Sequence, residues 1–187
     1  MEVEPIRNKM KILKMKEYLR QKGSGYELLF VMGLNTALRI SDLLSLTISD
    51  VTDTDRKILK TICVKEHKTG KLKRLRVNES LKNALSEYLA AYPKRKRCTP
   101  LFVSQKCGAL SRSQAWRTLK AAGESVGLEN IGTHSLRKTF GYHAYEKSGR
   151  DIGLVQKLLN HSVCRITLRY IGIDRERMDN AYMELNL

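Results

Sequence analysis

Acidic residues are in short supply in this chain. Against 35 lysines and arginines it carries 19 aspartates and glutamates, a formal charge of +16 over 187 residues. An excess of that size concentrates polyanions around the molecule and points to a nucleic acid as partner. The four cysteines, Cys63, Cys98, Cys107 and Cys164, show no CxxC pairing. That excludes a zinc ribbon or a disulfide framework and leaves ordinary reduced thiols. No apolar run reaches the length of a membrane span, and residues 1–5 have none of the features of a secretion signal. A strongly amphipathic anchor is also missing, so a membrane surface is a poor explanation for the charge. There is no Walker-type phosphate loop. Asp50, Asp53 and Asp55 mimic part of a calcium loop but lack its glycine and terminal glutamate, and read as a polar turn. Neither metal nor ATP nor any other cofactor is expected.

What is present is 42% hydrophobic residues, enough to bury a core in one domain. Positive charge is densest at residues 68–76 and 94–97. Helical periodicity predicts a basic amphipathic helix over 7–22 stopped by Gly23, and a more apolar one over 24–37 with Arg39 just beyond it. Ser41 and Asp42 read as the cap and first turn of a short helix holding Leu43, Leu44 and Leu46. Residues 59–65 and 72–77, joined by Thr69-Gly70-Lys71, carry a hairpin signature. Further helices are predicted over 79–92, 111–127 (capped by Ser111), 134–147, 152–159, 164–170 and 175–186, with a short strand at 101–103. Repeats, low-complexity tracts and linkers are missing. The fold class is mainly α with a small antiparallel sheet.

Five positions form a phosphate-handling set. His134 and Arg137, three apart on a helix, share a face and can reach one anion. Arg39, at a helix end, can supply a second guanidinium. The planar fork of arginine matches phosphate oxygens in a bidentate way. Tyr170 follows His161 late in the chain, and a phenol flanked by cations and a histidine base can act as a nucleophile. Taken singly, each residue has a duller explanation: a solvated arginine, a structural histidine, a core tyrosine.

In this order, the segments Thr36-Ala37-Leu38-Arg39-Ile40-Ser41-Asp42-Leu43, His67-Lys68-Thr69-Gly70-Lys71, His134-Ser135-Leu136-Arg137 and Leu158-Leu159-Asn160-His161-Ser162, ending at Tyr170, resemble the catalytic domain of the tyrosine recombinases, the phage integrases and Xer-like enzymes. The likeness runs from about residue 5 to the end. It implies a site-specific DNA recombinase that cleaves and rejoins strands through a 3′-phosphotyrosine. Tyr170 is then the nucleophile, Arg39 and Arg137 clamp the scissile phosphate, and Lys68 protonates the departing 5′-oxygen, with Lys71 and Lys65 as competitors for that role. His134 exchanges a proton with the tyrosine, His161 donates to a phosphate oxygen, and Asp42 orients the basic cluster. Lys71, Lys73, Arg74 and Lys138 are expected to contact DNA. Asn160 stands where a glycine is usual, and asparagine is the next best residue for a left-handed backbone.

The resemblance further implies a single catalytic domain over 1–187 without the separate N-terminal DNA-binding domain usual in the family. The partner is double-stranded DNA. A monomer in solution is expected to assemble into a homotetramer on DNA through the C-terminal helix with Met178, Ala181, Tyr182, Met183 and Leu185, with accessory DNA-bending proteins as further partners. The setting implied is the cytoplasm of a bacterium, or a phage or other mobile element. Two alternatives stand beside this reading: a type IB topoisomerase-like relaxing enzyme, and a non-catalytic DNA-binding protein that keeps the fold.

Overall fold

Residues 28–32, Leu-Leu-Phe-Val-Met, run without a polar side chain, and all five are buried. A helix apolar on every face belongs at the centre of a bundle. In the computed structural model, which describes residues 3–104 and 108–185 apart from the side chains of 175–177, that helix is α2 (Ser24–Thr36). Basic α1 (Lys9–Lys22), capped by the Asn8 side chain, lies on one side of it, and α5 (Glu79–Ala91) and α7 (Thr133–Lys147) on others. Two short helices follow α2: α3 (Ile40–Leu44) and α4 (Ile48–Val51). Strands β1 (Thr61–Lys65) and β2 (Leu72–Arg76) form a two-stranded antiparallel sheet with Ile62 opposite Leu75 and Val64 opposite Lys73. After α5 come α6 (Arg112–Glu124), closed by a Ser111–Gln114 capping box, then α7, α8 (Ile152–Leu159), α9 (Cys164–Tyr170) and α10 (Ile173–Glu184).

The expected class, mainly α with a small antiparallel sheet, is the class observed, and most element boundaries fall within a few residues of the periodicity. The differences have physical reasons. Arg39, not Ser41, caps α3, because Ala37 turns left-handed (φ 55°) and frees the chain to re-enter a helix at Ile40. Helix α4 is only four residues long, too short to show a period, and is made by a Thr47–Asp50 capping box. Asp53 accepts from the Lys57 amide at 2.8 Å, as a polar turn requires. At 101–103 only Val103 pairs, through a single bridge to Ala109. Among the described residues, Cys63 and Cys98 are exposed free thiols and Cys164 is a half-buried one; Cys107 and Leu187 lie outside them. No described helix is long and apolar enough to cross a membrane.

Three apolar clusters fill the interior. The largest joins α2, α3, α4, the hairpin and α5. A second joins α1, Phe30, α6 and Leu136. A third, around Ala37, Tyr145, Val155, Leu159 and Ile171, lies under α7–α10. Helix α7 sits between them and approaches its neighbours closely at two glycines. A Cβ on Gly33 would lie 2.5 Å from Leu136 Cδ1, and one on Gly141 would lie 2.7 Å from Ile171 Cγ2 and 3.0 Å from Leu159 Cδ1. These contacts set Arg137, next to Leu136, and Tyr170, next to Ile171. Gly141→Ala should therefore destabilise by about 1–3 kcal/mol through overpacking, of which better helix propensity returns at most about 1 kcal/mol. Urea denaturation should show a lower midpoint with unchanged slope.

Candidate active site

Two helix ends build the floor of the site. The last carbonyls of a helix have no partner within it and carry partial negative charge. At the end of α2 that carbonyl is Ala37 O, and at the end of α8 it is Leu159 O. The Arg137 guanidinium, on α7 and only 3% exposed, donates to both, Nη1 to Ala37 and Nη2 to Leu159. Lys73, on β2, fills the same cage: its Nζ donates to Leu158 O at 2.8 Å and lies 3.5 Å from Ala37 O. Burial, with the Arg137 charge behind it, pulls the Lys73 ammonium down to about 8.

Arg39 joins Arg137 through a shared carboxylate. Glu66, just past β1 and 1% exposed, accepts from Arg39 Nη1 at 2.9 Å and lies 3.7 Å from Arg137 Nη1. Its second oxygen accepts from Thr69 Oγ1 at 2.8 Å and from Asn160 Nδ2 at 2.9 Å. Burial alone would raise its pKa, but those two hydrogen bonds and the two guanidinium charges outweigh burial and hold the carboxyl below its ordinary value.

Tyr170 ends α9 with its hydroxyl buried, beside Arg137 but without a well-formed hydrogen bond. Burial pushes the phenol up, and the Arg137 and Arg39 charges offset this only in part. The ring stands edge-on to His161, centroids 5.0 Å apart at 81°. His161 places Nδ1 3.1 Å from Thr167 Oγ1, and burial together with Arg137, Arg39 and Lys73 lowers it to about 4. Near neutral pH it is an uncharged imidazole, and donation to a phosphate becomes easier once the phosphate charge offsets the surrounding cations. His134, on the exposed side of α7, is also lowered, first by partial desolvation and then by Arg137, Lys138, Arg39 and Lys68. A histidine neutral at pH 7 can accept a proton.

Asp42 is fully buried. Its Oδ1 accepts from the His67 amide at 2.9 Å and lies 3.0 Å from His67 Nδ1, while Oδ2 has no partner among the described residues. It is thus more than a helix-end carboxylate: it ties α3 to the turn carrying Lys68. That lysine sits on the exposed turn at 67–69, close enough to His134 to influence its charge. Lys71 and Arg74 are exposed. Two of the four residues expected to contact DNA are not exposed surface cations. Lys73 turns inward to the helix ends. Lys138 is 6% exposed and lies under Tyr170, Nζ 5.3 Å from the ring centroid, because its position on α7 faces α9 and not solvent. The basic loop at 94–97 is also partly structural: Arg95 stacks 3.7 Å from the Tyr92 ring centroid, and Arg97 donates to Thr52 O. Asn160 takes the left-handed backbone (φ 52°) and adds its bond to Glu66.

Glu66 was not singled out from the sequence, although a signal for it exists. In β1, Ile62 and Val64 face inward, and Glu66 continues that alternation; in β2, Leu75 faces inward and Lys73 shares its side, while Leu72 is 68% exposed.

Comparison with known proteins meets this geometry from outside. The model of the phage integrase family matches residues 7–177. A probable integrase/recombinase, YoeC of Bacillus subtilis (strain 168), is 42% identical over 180 residues, covering 96% of this chain and 95% of that protein. The tyrosine recombinase XerD of Corynebacterium glutamicum is 33% identical over 154 residues, covering 79% of this chain but 48% of XerD, so the chain spans about half the length of that relative. A crystal structure of a lambda integrase tetramer bound to a Holliday junction superposes with a TM-score of 0.70 at 17% identity, over 92% of this chain and 49% of that one, which shows a shared fold. The chain belongs to the phage integrase family, the tyrosine recombinases.

Proposed function

We propose that this protein is a site-specific DNA recombinase that cleaves and rejoins strands through Tyr170. The observation that carries the reading is the convergence of Arg39 and Arg137 on one buried anion, Glu66, with the Tyr170 hydroxyl beside Arg137. Two guanidinium groups that can share a carboxylate can share the non-bridging oxygens of a phosphodiester. There they offset the negative charge that grows during attack.

In this reading the Tyr170 oxygen forms a bond to phosphorus as the bond to the 5′-oxygen breaks. His134 takes the phenol proton and Lys68 delivers a proton to the leaving 5′-oxygen. His161 donates to a phosphate oxygen, and Asp42 holds the Lys68 turn through His67. The phosphotyrosyl link keeps the energy of the original bond, so a 5′-hydroxyl can reseal the strand by the reverse steps.

Assembly on DNA follows from the far end. Helix α10 leaves Met178, Tyr182 and Met183 exposed at 56%, 81% and 83%. A cavity of about 740 Å3 lined by Pro5, Val163, Ile166 and Arg169 lies beside its base. We infer that α10 docks on a neighbouring copy in a DNA-bound homotetramer formed from a monomer in solution; the lambda integrase that shares this fold is a tetramer bound to a Holliday junction. The single catalytic domain over 1–187 is the unit proposed to do the chemistry.

Nicked duplexes made from the DNA flanking the gene serve as suicide substrates, because the broken strand diffuses away and traps the covalent adduct. Wild type should accumulate a protein–DNA adduct on one of them and Tyr170→Phe should form none. Equal amounts from both proteins would dismiss the enzyme reading in favour of a DNA-binding protein that keeps the fold. Relaxed plasmid without any recombinant would favour the topoisomerase-like alternative.

A further inference from the structure

The carboxylate of Glu66 touches four separate parts of the site. It accepts from Arg39 at the start of α3, from Thr69 in the hairpin turn and from Asn160 at the end of α8, and it faces Arg137 on α7 at 3.7 Å. Its backbone closes the same turn, the amide donating to Lys71 O at 3.0 Å and the carbonyl accepting from the Gly70 amide at 2.8 Å. The turn so closed holds Lys68. The Asn160 side chain it grips precedes His161.

We propose that Glu66 is a positioning residue for strand cleavage, locking the Lys68 turn and the Arg39 guanidinium into one frame with Asn160 and Arg137; this rests on the reading of the site as DNA-cleaving. A carboxylate suits the task because all four of its bonds or contacts come from donors, two of them cationic, and an ionised carboxylate has only acceptor oxygens to offer. Burial strengthens the arrangement, since neither water nor salt competes for the carboxylate of a residue 1% exposed. Arg39 is held by one of its nitrogens, which leaves other donors of its fork for a phosphate. Misplacing a reacting group by about 1 Å can cost about 100-fold in rate. A loosened Lys68 turn and a rotated Arg39 are displacements of that kind.

The test measures single-turnover adduct formation at saturating suicide duplex for wild type, Glu66→Gln, Glu66→Ala and Asn160→Gly, with the affinity for the same duplex measured separately. Asn160→Gly keeps the left-handed backbone and removes only one donor to Glu66. The expected result is a rate about 10- to 100-fold lower for Glu66→Ala, a smaller loss for Glu66→Gln, whose amide oxygen still accepts from Arg39, and a smaller one again for Asn160→Gly. Affinity should be unchanged or higher, since removing an anion favours the polyanion. A residue needed only for folding would lower the melting temperature and leave the rate per folded molecule intact, and that result overturns the proposal. So does a faster rate in Glu66→Gln, which would make Glu66 an occupant that DNA must displace. If wild type itself forms no adduct, the reading of Tyr170 fails, an outcome distinct from either of these.

Discussion

Replacing Arg137 should slow covalent adduct formation by about 100- to 1000-fold and lower stability at the same time. The two losses have one cause. Arg137 holds the carbonyls of Ala37 and Leu159 and faces the Glu66 carboxylate, all of them away from water. Arg137→Ala leaves two helix-end carbonyls and part of a buried anion without their cation. Breaking a buried pair in this way costs about 3–5 kcal/mol. Against a total of about 5–15 kcal/mol for a typical domain, that variant sits near the edge of folding. Arg137→Lys separates the two losses. It keeps a positive charge but has one nitrogen where two carbonyls and a phosphate need a fork. It should fold, melt at a lower temperature and still lose most of the rate. An adduct rate for Arg137→Lys within about threefold of wild type would mean that this guanidinium does not meet the phosphate.

Lys68→Ala should slow cleavage by about 100- to 10,000-fold, the range for a lost general acid. The loss should be recovered on a substrate whose 5′-bridging oxygen is replaced by sulfur, because a thiolate departs without needing a proton. That rescue separates proton delivery from phosphate attraction, since a lost electrostatic contact is not restored by a better leaving group. It also decides among the lysines of the hairpin. Lys65 and Lys71 are exposed like Lys68. Lys68 sits between His67, which Asp42 holds, and Thr69, which the Glu66 carboxylate holds, whereas Lys71 is bound through its backbone carbonyl to the Glu66 amide. Lys65→Ala and Lys71→Ala should lose DNA affinity with a gentler salt slope and keep their cleavage rate at saturation. A sulfur-rescued Lys71→Ala beside an unrescued Lys68→Ala would transfer the role to Lys71.

The residues legible in the sequence were those whose chemistry is local. Arg39 follows a helix end, and His134 and Arg137 share one helical face, which spacing is enough to see; the left-handed Asn160 was reached through the family resemblance, where a glycine is usual. The residues that were not legible take their meaning from tertiary convergence. Glu66 stands in a lysine-rich hairpin where a carboxylate looks solvated, and becomes a hub only because α3, α7 and α8 close on it. Lys73 and Lys138 looked like surface cations. The strand's inward face takes Lys73 to the ends of α2 and α8, and the close approach of α7 to the end of α9 at Gly141 takes Lys138 beneath Tyr170. The fold was legible for a related reason: each long helix carries its own period, while α4, at four residues, rests on a cap alone.

The central claim is that a tyrosine hydroxyl, set beside two arginines that share one anion, becomes the covalent attachment point of DNA. Isolating the adduct from a suicide duplex, digesting it with protease and nuclease, and locating the residual nucleotide by mass spectrometry tests this most directly. The account requires the nucleotide on Tyr170, joined through its 3′-phosphate, with a free 5′-hydroxyl on the released strand. A nucleotide joined through its 5′-phosphate, or carried by any other residue, would contradict it.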